Sequence, residues 1–150
     1  MSPSFTLPDT TSLGDLRTYL GRASRVEDGS VRLIAGAGVL AVYTAILYPV
    51  GLLDEVPTVL GLRTFAVTDP VEFDAVVPLR SFLSRLDALA DRERTAEGRG
   101  QDPTSATPVT VELPLEVHTV TWAAISPPRG GWVAQLDIDA RVLRLSLIHI

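Results

Sequence analysis

Residues 33–53 read Leu33-Ile34-Ala35-Gly36-Ala37-Gly38-Val39-Leu40-Ala41-Val42-Tyr43-Thr44-Ala45-Ile46-Leu47-Tyr48-Pro49-Val50-Gly51-Leu52-Leu53, 21 consecutive residues without a charged side chain. The fold turns on how this run is read. A membrane-spanning helix needs about 20 apolar residues, so the length qualifies. Against a span stand Gly36, Gly38, Pro49 and Gly51 within the run and the acidic pair Asp54-Glu55 at its flank. A dinucleotide-binding turn is the second reading, because Gly36-Ala37-Gly38-Val39-Leu40-Ala41 follows Val31-Arg32-Leu33-Ile34-Ala35 in the G-x-G-x-x-A pattern. That turn requires a helix at once, where Val39, Val42, Tyr43, Thr44 and Ile46 favour a strand. It also requires an acid at the end of the next strand, whereas Asp54 and Glu55 precede that strand. The third reading fits best: residues 31–35 and 39–48 are two strands joined by a tight Gly-Ala-Gly turn, glycine supplying the positive φ of a hairpin.

Outward from this hairpin, residues 49–57 read as a loop and residues 58–67 as a third strand. Val59, Leu60, Leu62, Phe65 and Val67 populate both of its faces, which places it in the middle of a covered sheet. Upstream, Ser12 and Asp15 form a capping-box pair before the helical stripe Leu13, Leu16, Leu20 and Ala23, and residues 1–11 are expected to be disordered. Downstream, Pro78 suits the first turn of a second helix, with Leu79, Phe82, Leu83, Leu86 and Leu89 at helical spacing. Residues 93–108 hold no large hydrophobe and read as a flexible loop. Val109, Val111, Leu113, Leu115 and Val117 then alternate with polar residues as a half-buried strand, with Pro114 marking an edge or an early end. The phase breaks near His118-Thr119, and Asp137 or Asp139 caps a further helix from Ala140. The expected class is α+β, a mainly antiparallel sheet (a three-stranded meander plus a later strand) covered by two to three helices.

The last six residues, Leu145-Ser146-Leu147-Ile148-His149-Ile150, hold two of the six isoleucines. They are the translation of CTGTCTCTTATACACATC, a string that resembles a transposon mosaic-end sequencing adapter. Residues 145–150 are therefore expected to be adapter read-through, and residues 12–144 a single domain truncated at its C-terminus.

Composition narrows function by exclusion. The 150 residues are 46% hydrophobic and 21% charged, enough apolar material for a core. Cysteine is absent, which removes disulfides, thiolate metal sites and cysteine nucleophiles. All 13 basic residues are arginine, so a Schiff-base lysine and a P-loop lysine are excluded as well. A net charge of -5 has the wrong sign for a nucleic-acid binder. The N-terminus lacks a positive region followed by an apolar run, so a cytoplasmic location is expected.

Two histidines, His118 and His149, leave no multi-histidine metal site, and no cofactor is expected. His118 has one good functional role, a general base, but no G-x-S-x-G or triad spacing accompanies it, and no catalytic residue is assigned. The most unusual local sequence is Trp122-Ala123-Ala124-Ile125-Ser126-Pro127-Pro128-Arg129-Gly130-Gly131-Trp132. Its prolines fix an extended entry and its glycines permit a sharp return, which would present Arg129 between the faces of Trp122 and Trp132 to a carboxylate or phosphate. The competing reading makes the tryptophans plugs of a sheet edge.

The segments Leu13-Gly14-Asp15-Leu16-Arg17, Val39-Leu40-Ala41-Val42-Tyr43, Pro57-Thr58-Val59-Leu60-Gly61-Leu62-Arg63 and Pro127-Pro128-Arg129-Gly130-Gly131-Trp132 together resemble an uncharacterised family of short actinobacterial proteins, from about Phe5 to Arg144. The resemblance implies a soluble protein with a helical C-terminal continuation and no assigned catalytic residue. Family members carry a polar or charged residue in the turn where this chain has Gly36-Ala37-Gly38. The expected function is non-catalytic association, as a homodimer or with a protein partner. The alternative is a small-ligand or anion-binding module using Trp122, Arg129 and Trp132. An enzyme, limited to acids, arginines, hydroxyls and one histidine, comes third.

Overall fold

The computed structural model describes residues 2–98, 107–128, 130–142 and 144. The uncharged run forms two strands, β2 (Ser30–Gly36) and β3 (Val39–Leu47), paired antiparallel with Leu33 opposite Val42 and Ala35 opposite Leu40. Their turn is Ala37-Gly38, with φ of 51° and 77°. Two positive φ values define the turn whose twist matches a hairpin, so alanine occupies a position that favours asparagine or glycine. Among the described residues no helix is long and apolar enough to cross a membrane.

β4 (Val59–Ala66) pairs with the other side of β3, and β5 (Phe73–Pro78) with the other side of β2. The sheet order is therefore β4-β3-β2-β5, antiparallel throughout. The meander is the expected one, but β4 lies at an edge rather than in the middle. Its apolar residues on both faces reflect exposure, since Val59 and Leu62 remain in solvent. The fourth strand is also not the later one expected. β5 takes that place, its Phe73, Ala75 and Val77 facing inward while Asp74 and Val76 face outward.

One face of this sheet is covered by α1 (Thr10–Ala23) and α2 (Leu79–Glu97). Val31, Leu33, Leu40, Val42, Ala75 and Val77 meet Leu13, Leu16, Leu20, Leu79, Phe82 and Leu86 there in one core. Each such leucine contributes about 1.5–3 kcal/mol by leaving water. α1 starts earlier than the capping box at Ser12 and Asp15 implies: the cap is Asp9, whose carboxylate accepts the Ser12 backbone N–H at 2.6 Å. Asp15 instead pairs with Arg63 on β4. α2 continues through Glu97, so the first part of the expected loop at 93–108 is helical, built from residues without β-branched or proline breakers until Thr95.

The later strand is β6 (Val109–Glu112), which stops before Pro114 and pairs antiparallel with β1 (Ser4–Leu7) in a separate two-stranded sheet. The segment 1–11, expected to be disordered, thus holds β1 and the start of α1 within its described residues 2–11. Phe5 and Leu7 are fully buried with Val109 and Val111, and Thr6 donates from its backbone N–H to Asp69 at 2.9 Å. Near the other end, Asp139 accepts the Arg141 backbone N–H at 2.8 Å, beside helical backbone at Ala140, Arg141 and Val142. Residues 145–150, the suspected adapter, lie outside the described residues.

Candidate functional site

The sheet face turned away from the helices carries one buried charge. Arg32 points there from β2, between Tyr43 on β3 and Val76 on β5, and is only 7% exposed. A guanidinium has five N–H bonds to satisfy, and all five are matched. Nε donates to Asp74 Oδ1 and Nη2 to Asp74 Oδ2, both at 2.8 Å. Nη1 donates to the backbone carbonyls of Ala123 (2.9 Å) and Ile125 (3.1 Å), and Nη2 also to Ser126 Oγ (2.8 Å). The Asp74 carboxylate, through these bonds, raises Arg32 above its ordinary value, against burial, which acts the other way.

This clamp holds a strap over the sheet. After β6 the chain returns along β5, where the Val117 N–H donates to Val76 O at 2.8 Å, then makes a single 3-10 turn at Thr121–Ala123. The strap covers the free side of β5 and leaves a cavity of about 340 Å³ beside Arg32, Asp74, Glu116 and His118. No N–H of Arg32 is left over for a ligand, and His118 is exposed, with no acid or nucleophile bonded to it among the described residues. Among the described residues no group of three or more His, Asp and Glu stands close enough to hold a metal ion. A second groove, about 390 Å³, sets Arg85 and Arg92 of α2 against Glu112 and Thr110 of β6.

The opposite edge is different. β4 pairs only with β3, and no described segment lies on its free side. Its sequence, Val59-Leu60-Gly61-Leu62-Arg63-Thr64-Phe65-Ala66, contains no proline and no acid. Its one charge, Arg63, is turned to the helix side, where it pairs with Asp15 and stacks over Phe65 at 5.5 Å. Edge strands are normally blunted by charge, proline, bulges or cover. Here Leu62 is 52% exposed, and the neighbouring Ile46, Leu47, Val50, Leu52 and Leu53 are exposed as well.

The residues singled out in the sequence are placed separately. Trp122 is 7% exposed, one residue before the Ala123 carbonyl that Arg32 holds. Trp132 is 76% exposed and donates its indole N–H to Pro128 O at 3.1 Å. Arg129 lies outside the described residues. The residues that sequence reasoning missed are Arg32, Asp74 and Ser126. The signal for them was an arginine inside the strand-like Val31-Arg32-Leu33-Ile34, where an unpaired charge is costly and a partner is required.

These features define a two-sheet α+β domain with one edge strapped and the other open. The chain belongs to the family described as "Domain of unknown function (DUF8010)", which matches residues 1–107. The match runs from β1 to the end of α2 and excludes β6 and the strap. No curated protein and no solved structure matches the chain.

Proposed function

We propose that the chain is a non-catalytic association domain that dimerises in the cytoplasm through the β4 edge. One observation carries this reading: β5 is covered by the strap, whereas β4 offers unpaired backbone and exposed Val59 and Leu62 without a gatekeeping proline or acid. A second copy is the partner, and a closed two-fold arrangement makes each contact twice. The arginine-only composition, without lysine, supports the proposed actinobacterial source.

Light scattering over a range of concentrations tests it. The chain is expected to run as a dimer and Leu62→Lys as a monomer with an unchanged circular dichroism spectrum. A strict monomer, or a dimer indifferent to Leu62→Lys, would refute it. The exposure of Trp132 supports a second reading, an anion-binding module at Trp132 and Arg129 over the buried Trp122. Saturable tryptophan quenching by small anionic metabolites distinguishes that reading from a pure association domain.

A further inference from the structure

Residues 132–138, Trp132-Val133-Ala134-Gln135-Leu136-Asp137-Ile138, alternate as a strand does. Trp132, Ala134, Leu136 and Ile138 fall on one side, Val133, Gln135 and Asp137 on the other. Yet among the described residues the segment has no strand partner, and every described residue from 130 to 142 is exposed, Leu136 at 93%. A segment patterned as a strand thus stands in the same molecule as a sheet edge without a described neighbour.

Resting on the dimer reading above, we propose that residues 132–138 of a second copy add to β4 as a fifth, antiparallel strand, each copy donating its segment to the other. β-Strand addition of this kind takes affinity from main-chain hydrogen bonds and selectivity from alternate side chains. The register that joins the two exposed leucines places matching residues on both faces. With Leu136 opposite Leu62, Ile138 meets Leu60, Ala134 meets Thr64, and Trp132 lies over Ala66 beside the exposed Val39. On the helix side Val133 meets Phe65, and Gln135 meets Arg63. Asp137 falls opposite Gly61, diagonal to Arg63, so the segment brings a carboxylate to the only cation of β4. A shift by one residue would turn Trp132, Leu136 and Ile138 onto the helix side against Arg63 and Gly61, which fixes the face that the segment presents. The donor is a second copy because in its own chain the segment is left in solvent: no described residue from 130 onward is buried.

The absence of native cysteine makes the test clean. Opposed Cα atoms in an antiparallel pair lie about 4.5–5.5 Å apart, within disulfide reach. Differently tagged Leu62→Cys and Leu136→Cys chains are mixed and oxidised. The expected result is a mixed disulfide dimer as the dominant product. Cross-linking of Leu62→Cys or Thr64→Cys chains only to themselves overturns the strand exchange while the β4 dimer stands. An intrachain disulfide in the double variant, with a monomer by light scattering, overturns both the exchange and the dimer. Both substitutions fall at exposed positions, and circular dichroism of each reduced variant confirms that it folds.

Discussion

Replacing Arg32 with methionine isolates the clamp. Methionine fills most of the aliphatic volume and removes all five N–H donors, leaving Asp74, the Ala123 and Ile125 carbonyls and Ser126 without them. Breaking a buried ion pair by removing one partner costs about 3–5 kcal/mol. The Asp74 side chain is 36% exposed, so water compensates part of that loss and about 2–4 kcal/mol is expected. The loss falls first on the strap, because the helix-side core keeps its packing when Arg32 is gone. In a Trp132→Phe background Trp122 is the sole tryptophan and reports the strap directly. Urea titration followed by fluorescence and by far-ultraviolet circular dichroism should show the Trp122 emission turning red at lower urea than the loss of secondary structure. Arg32→Lys should behave nearly as badly, since a point ammonium cannot span Asp74 and two carbonyls as the planar fork does. An Arg32→Met protein with unshifted Trp122 emission and a stability change under about 0.5 kcal/mol would refute the assignment of Arg32 as the fastener.

Three further outcomes follow from the geometry. A Cβ on Gly61 would stand 2.9 Å from Thr44 Oγ1 and 3.3 Å from Tyr19 Oη, which are bonded to each other at 3.1 Å, so Gly61→Ala should lower stability by about 1–3 kcal/mol in thermal unfolding. A neutral effect would show that Thr44 yields freely. Ala37→Asn should raise stability by about 0.5–1 kcal/mol in urea unfolding, because the left-handed φ of 51° suits asparagine, and a loss would contradict the hairpin geometry. The Ser12 N–H holds the Asp9 carboxyl below the usual carboxylate range, so its contribution is complete above its unfolded value and fades as pH falls through the lower folded one. Asp9→Ala should therefore cost about 0.5–2 kcal/mol at neutral pH, a gap that closes below about pH 4. A gap that persists in acid would mean that the cap acts without its charge.

The parts of the fold carried by local pattern were legible. β2 and β3 showed themselves by β-branched residues around a glycine turn, and α1 and α2 by leucines at helical spacing. β1 escaped notice because four residues between Pro3 and Pro8 are too few to display a period. β5 escaped because Asp74 interrupts it, and the purpose of Asp74 appears only when Arg32 arrives from a strand 42 residues away. The position of β4 was misread for a related reason. Apolar residues on both faces signal burial only if something covers both, and an open edge gives the same pattern. The clamp was invisible for want of its acceptors, two of which are main-chain carbonyls and leave no mark in a sequence.

The pairing of β1 with β6 joins the two most distant strands, Thr6 meeting Thr110 across a separation of 104 residues. On a ribosome adding 5–20 residues each second, Phe5 and Leu7 therefore emerge about 5–20 s before the strand that shelters them. During that interval the growing chain carries an apolar segment without its cover. A gene piece trimmed at residue 107, where the family match stops, would leave β1 permanently without its partner strand.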